Sequence, residues 1–331
     1  MDEPKKSTRD TLAFLLVLSL YVLASLLFTQ QYFAGTIEWR QARLEKMITF
    51  EADAPFQFRI LAPLVIRLAV HTTGFDAYSI SKILTVVWTF FSLLAFRALL
   101  RIFFPLVSAS LGALLLPYAM YWNYAALGIW RMPFDIPAIL LFTACLLCLL
   151  RKRWSLFYPL FVLGALNRET ILVVTVAFVF LSWKRAEFFF VLKHAGLQLA
   201  LWLFVRTILA FIFRESDGGQ FQNQFATNIS NLLSGKITAP LLSSFGGLWL
   251  PAFLGLYVVE PQIRRLLFLT VPFVALMIVV GNLHELRIYN ELVPVICMGA
   301  LASVIAFSKR MRTDRQDFRR RPTDAAEPDA P

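Results

Sequence analysis

The chain has 331 residues, 58% of them hydrophobic and only 16% charged, with a formal net charge of +11 and a mean hydropathy of +0.66. Water-soluble domains carry about 45–50% apolar and about 25% charged residues, so an ordinary soluble enzyme, a disordered chain and a disulfide scaffold are excluded. The positive balance would suggest nucleic acid in a soluble protein, but among apolar runs it reads as the lysine and arginine bias of cytoplasmic loops, and no nucleic-acid partner is expected.

Apolar runs recur from Leu12 to Phe307, and about 20 such residues suffice to cross hydrocarbon as a helix. The predicted fold is all-α, a polytopic transmembrane helix bundle of about ten spans. Residues 1–11 are predicted as a cytoplasmic amino terminus, 12–307 as the transmembrane domain, and 308–331 as a disordered, basic cytoplasmic tail lacking an apolar face. The first run, 12–33, is longer than the 7–15-residue core of a signal peptide and is expected to stay as a helix. Further spans are predicted at 77–100, 105–126, 133–150, 154–166, 170–183, 194–213, 238–258, 266–281 and 288–307. Basic clusters at Arg97/Arg101, Arg151–Arg153, Lys184/Arg185, Arg264/Arg265 and Lys309–Arg321 recur after every second span. That topology puts 20 of the 32 basic residues and ten acids inside, against twelve bases and eleven acids outside, with both termini cytoplasmic.

Two stretches are irregular. The outer loop 34–76 is too polar to span, and within it Phe58–Val70 reads as an amphipathic helix lying along the interface with Arg59 and Arg67 toward water. The 14 steps from Arg153 to Asn167 cover about 21 Å at 1.5 Å per residue, short of the about 30 Å of hydrocarbon. Asn167, Arg168 and Glu169 therefore fall below the outer surface, and a single helix over 154–183 would carry them near mid-membrane. Either way they cannot face lipid. Cys145, Cys148 and Cys297 lie inside apolar runs and read as buried helix residues.

The unusual polar residues sort to the outer side. They are Glu38, Glu51, Asp53 and Arg59; Arg131 and Asp135; Asn167, Arg168 and Glu169; Arg206 and Arg214; and His284, Glu285, Arg287 and Glu291. On a helix, His284, Arg287 and Glu291 share a face. Asp135, between Pro133 and Pro137 in a first helical turn, also suits the positive helix end. Arginines and a histidine beside carboxylates match a phosphate-bearing ligand and a hydroxyl that needs a base. In the outer half of a membrane the natural ligand of that kind is a lipid-linked sugar.

Three stretches, Phe58-Arg59-Ile60-Leu61-Ala62-Pro63, Arg168-Glu169-Thr170 and His284-Glu285-Leu286-Arg287-Ile288, follow a long polar first outer loop in the way seen in the GT-C superfamily of polyprenyl-phosphate-dependent glycosyltransferases, which the chain resembles. The last stretch is similar to a His-Lys-Glu-Arg-Phe-like element of some mannosyltransferases, with Leu286 at a charged position. The resemblance implies a bacterial-type inner-membrane enzyme with an outward-facing site, a polyprenyl-phosphate sugar as donor, and an unidentified glycan, lipid or protein acceptor. It implies Asp53 or Glu51 as the base, Arg168, Arg287 and His284 on the donor phosphate, and Asp135 supporting the acceptor or a divalent cation. The remaining polar set, Arg59, Arg131, Asn167, Glu169, Arg206, Glu285 and Glu291, would bind substrate. Oxygen ligands would suit Mg2+ or Mn2+, with the metal requirement left open. Trp39, Phe56, Phe58, Trp122, Trp130 and Trp249 fit either sugar stacking or an interfacial belt. Two other classes stay open: a transporter or flippase of an anionic lipid-linked substrate, and a non-catalytic subunit whose charges pair across a membrane complex.

Overall fold

The computed structural model describes residues 8–182, 187–214 and 223–320. The helices in chain order are α1 (Thr8–Gly35), α2 (Leu44–Ile48), α3 (Leu61–Thr73), α4 (Ala77–Leu100), α5 (Leu106–Gly112), α6 (Leu115–Tyr124), α7 (Asp135–Leu150), α8 (Trp154–Asn167), α9 (Val173–Ser182), α10 (Phe188–Ile212), α11 (Phe225–Leu233), α12 (Thr238–Ser243), α13 (Trp249–Leu254), α14 (Pro261–Leu267), α15 (Thr270–Val280) and α16 (Val293–Arg320). Among the described residues the sole sheet is a two-residue parallel bridge between β1 (Ile37–Glu38) and β2 (Trp130–Arg131). The fold is all-α.

Five helical stretches, Thr11–Gly35, Ala77–Leu100, Phe188–Ile212, Pro261–Val280 and Leu286–Met311, are long and apolar enough to cross a membrane. Their outer faces leave large apolar side chains uncovered, among them Leu12, Leu16, Phe188, Phe189 and Phe211. Apolar surface on this scale is uncommon on soluble proteins, and lipid is the solvent that suits it. The chain is a membrane protein.

Twelve of the sixteen residues of α7 are buried, as expected of a helix that is apolar all round. It packs between α4 and α8. The segment before it is tied to α1 by the Tyr32 hydroxyl, which donates to the Met132 carbonyl (3.3 Å) and accepts from the Met132 amide (3.2 Å). These bonds settle where α7 begins, and so where Asp135 stands.

The stretch 154–183 is two elements, not one long helix. α8 stops at Asn167, Arg168 takes an extended backbone (φ −161°, ψ 138°), and a 3₁₀ turn over Glu169–Leu172 leads into α9. The break is held from both sides. Asn167 Nδ2 donates to the Phe134 carbonyl at 2.8 Å, and Gly164 leaves room for Ile171 to fold back against α8.

Three expectations are corrected. The helix expected over Phe58–Val70 spans Leu61–Thr73 as α3, and Arg59, just before it and expected to face water, is buried while Arg67 is exposed. The stretch Leu286–Leu292 is 3₁₀, not α, so His284, Arg287 and Glu291 do not form one α-helical face. Finally, α16 continues to Arg320 through the first part of the tail expected to be disordered. No Gly or Pro interrupts it after Gly299 until Pro322, which suits a helix; the rest of that tail lies outside the described residues.

A methyl group at Gly164 would meet Ile171 Cγ1 at 2.5 Å and Cβ at 3.2 Å. Gly164→Ala is therefore expected to destabilise the fold by about 1–3 kcal/mol, as overpacking does, read as a lowered midpoint of thermal unfolding in detergent.

Candidate functional site

The start of α7, the α8/α9 break and the 3₁₀ stretch before α16 bring charges from distant parts of the chain into one buried cluster. Asp135 is fully buried. Its Oδ1 lies 3.5 Å from Arg168 Nη1 and 3.5 Å from Arg287 Nη1. Arg168 Nη1 is also 3.3 Å from Glu291 Oε1, which accepts a hydrogen bond from the Thr170 hydroxyl. Arg287 donates from Nε (2.8 Å) and Nη2 (2.6 Å) to the same oxygen of Glu285, Oε2. The other oxygen, Oε1, accepts from Asn282 Nδ2 at 3.2 Å.

A second pair adjoins the first. Arg59 grips both oxygens of Glu169, with Nε to Oε2 at 3.2 Å and Nη2 to Oε1 at 2.5 Å, and its guanidinium lies 4.5 Å over the Phe134 ring. Trp202 Nε1 donates to the Glu169 carbonyl at 3.0 Å. Arg206 is buried, donates to the Phe58 carbonyl at 3.4 Å and stands within electrostatic reach of Glu169. Four arginines thus face four carboxylates, and the cluster is formally neutral. Neutrality matters, because removing one partner from a buried pair strands a charge.

The Gly281–Arg287 approach is clamped by Asn228 of α11. Its Nδ2 donates to the carbonyls of Ile278 (2.9 Å) and Gly281 (2.6 Å), and its Oδ1 accepts from the Leu283 amide (3.1 Å). Asn123 does similar work deeper down, donating to Asn290 Oδ1 at 2.9 Å and accepting from the Phe245 amide at 2.7 Å.

A cavity of about 480 Å³ opens against this cluster. Its polar end is formed by Arg59, Arg168, Glu169, Thr170, Glu285 and Arg287, with Trp39, Gln41 and Phe56 beside them. The rest of the lining is mostly apolar, with Leu172, Val173 and Val176 from the α9 side and Leu276, Met277 and Val280 from α15, and Gln224 next to Val279. A shallower apolar hollow of about 490 Å³, lined by Val179, Phe180, Phe268, Val271 and Pro272 with Arg265, lies further along α9 and α15.

The structure joins Arg59, Asp135, Arg168, Glu169, Arg206, Glu285, Arg287 and Glu291. It leaves the others elsewhere. Asp53 and Glu51 are exposed and outside the cavity lining, with Asp53 4.0 Å from Lys46. His284 is exposed beyond the cavity lining, so it does not stand with Arg287 as a phosphate ligand. Arg131 pairs with Glu38 at 3.1 Å, also outside the lining, and Arg214 is exposed beside Phe211. Asn167 supports the chain break. Of the six aromatics, only Trp39 and Phe56 line the cavity; Phe58 is buried, and Trp130 packs edge-on against Trp39. The sequence reading passed over Trp202, Asn282 and Asn228, none of which carries a charge or a motif.

Among the described residues no group of three or more His, Cys, Asp or Glu could hold a metal ion. Each carboxylate of the cluster already faces an arginine, so this donor set does not fit Mg2+ or Mn2+. No protein-family model, curated protein or solved structure matches the chain.

Arg168→Met would leave Asp135 and Glu291 without their shared cation. It is expected to cost about 3–5 kcal/mol, with part of that loss returned by adding Asp135→Asn. Asp53→Asn should change stability by less than about 1 kcal/mol, since exposed pairs contribute little. Thermal unfolding of the three variants in one detergent checks the ranking.

Proposed function

We propose that this chain is a glycosyltransferase of GT-C type, moving a sugar from a polyprenyl-phosphate donor to an acceptor hydroxyl at the outer face of a bacterial-type inner membrane. In this reading it crosses the membrane about ten times with both termini inside. One observation carries the proposal: a single cavity is lined by three arginines and also by a largely apolar cleft of Leu172, Val173, Val176, Leu276, Met277 and Val280, with Gln224 beside it. Such a shape complements an amphiphile with an anionic head and a hydrocarbon chain.

Arg168 and Arg287 would hold the phosphate, with Arg59 adding positive charge beside them, and the apolar walls of α9 and α15 would take the first part of the lipid chain. The reaction breaks the bond between the anomeric carbon and the phosphate oxygen, and forms one to the acceptor oxygen. The phosphate leaves as an anion that fixed guanidinium groups stabilise, so no strong acid is needed. Trp39 and Phe56 offer the sugar a flat apolar surface beside the polar end. Pairing of the charges within one chain argues against a subunit whose charges await a partner.

Purified protein given a labelled polyprenyl-phosphate sugar and a panel of acceptors should transfer the label. Val176→Trp or Met277→Trp, which fills the apolar cleft, should slow transfer from long-chain donors by about 10-fold or more, the equivalent of about 1.4 kcal/mol, while a donor with one short isoprenoid chain is affected less. Equal slowing with both donors would detach the cleft from the lipid chain. Movement of the lipid-linked sugar across vesicles without transfer would replace the reading with a transporter.

A further inference from the structure

The neutral cluster poses a problem for any anionic ligand. Four arginines already face four carboxylates, so an entering phosphate adds uncompensated negative charge, although Arg168 Nε and Nη1 have no hydrogen-bond acceptor of their own among the described residues. Two carboxylates, Glu169 and Glu285, line the cavity. Either could give up its arginine to the newcomer, and the two are held differently.

Glu169 is gripped through both oxygens by the Arg59 fork, the arrangement that adds most strength and geometric definition. Among the described residues, Glu285 is held by Arg287 through Oε2 alone, while Oε1 accepts only the neutral Asn282 amide. Arg287 also keeps a second anion, Asp135, at 3.5 Å. If its Glu285 contact is exchanged for a phosphate, Arg287 remains compensated. Asn282 in turn lies in the turn clamped by Asn228, so the amide that steers Oε1 is itself fixed.

We propose that Glu285 is the catalytic base and that the donor phosphate unmasks it, by taking Arg287 from its carboxylate. This rests on the transferase reading above. The freed carboxylate, still oriented by Asn282, accepts the proton of the acceptor hydroxyl as that oxygen bonds to the anomeric carbon. The sugar–phosphate bond breaks with its electron pair on the phosphate oxygen, which Arg287 and Arg168 retain. Glu285, 14% exposed in its side chain, then returns the proton to water through the cavity mouth. The base becomes available only when a donor is in place, so an empty site holds no free carboxylate.

The test measures binding and transfer separately, on full-length protein in detergent. Binding is read with a polyprenyl monophosphate, with inorganic phosphate as the comparison that separates a lipid ligand from a free anion. Transfer is read with labelled donor. Glu285→Gln should bind the polyprenyl monophosphate at least as tightly as the native protein, because a competitor for Arg287 has gone, and should transfer about 10²–10⁴-fold more slowly, the usual cost of losing a general base. Glu285→Asp, which keeps a carboxylate, should recover more transfer than the Gln variant. Weaker binding by Glu285→Gln overturns the exchange, since it makes Glu285 a support for Arg287. Unchanged transfer, or a larger loss in Glu169→Gln with Glu285→Gln near native, overturns the base. If the native protein binds the lipid phosphate but transfers from no donor, the transferase reading and the base fall together, whereas tighter binding by Glu285→Gln would still support the exchange.

Discussion

Asp135 cannot be buried alone. A carboxylate taken fully out of water at the end of an apolar helix costs several kcal/mol unless cations and hydrogen bonds replace its solvent, and here Arg168 and Arg287 do so from positions 33 and 152 residues away along the chain. Each comes from a place where helical structure is interrupted, Arg168 from the extended residue between α8 and the 3₁₀ turn, Arg287 from the 3₁₀ stretch before α16. Interruptions inside a membrane protein are tolerated where the freed backbone groups find partners in protein or line a cavity. Both conditions hold, since Arg168, Glu169, Thr170 and Arg287 line the cavity, and Trp202 satisfies the Glu169 carbonyl.

The same constraint shapes the surrounding elements. α11 lies beside the Gly281–Leu283 turn and turns Asn228 inward while Phe225 and Leu233 stay exposed, the reverse of a soluble amphipathic helix and suited to an apolar surround. Asn123 ties α6 to the 3₁₀ stretch and to Phe245. Neutral amides of this kind fix direction without adding charge, so they can brace an ionic cluster without upsetting its balance. The apolar cleft between α9 and α15 then places hydrocarbon-like walls directly against guanidinium groups. A ligand filling both ends must itself be charged at one end and apolar at the other.

Much of the buried charge cluster was legible in the sequence because ionisable residues in apolar segments are costly and therefore informative. Asp135, Arg168, Glu169, Arg287 and Glu291 stand out in this way, and the 14-residue run ending at Asn167 announces its own shortness. The loop acids were misread for the complementary reason. Asp53 and Glu51 lie in a polar segment where charge is cheap, and nothing in their spacing says whether they face the cavity or water. His284 was misplaced because an α-helical period was assumed where the backbone is 3₁₀.

Composition and hydropathy determined by themselves that this is a helical membrane protein and that its unusual charges need burial among protein groups, since the energy of a charge or a backbone amide in hydrocarbon depends on little beyond its chemistry. Which arginine meets which carboxylate, that Arg59 turns inward rather than toward water, and that the charged end opens onto an apolar cleft were decided only by the tertiary structure. Those contacts join residues more than a hundred positions apart, such as Arg59 with Glu169, and their partners are chosen by helix packing and chain breaks that no local pattern encodes.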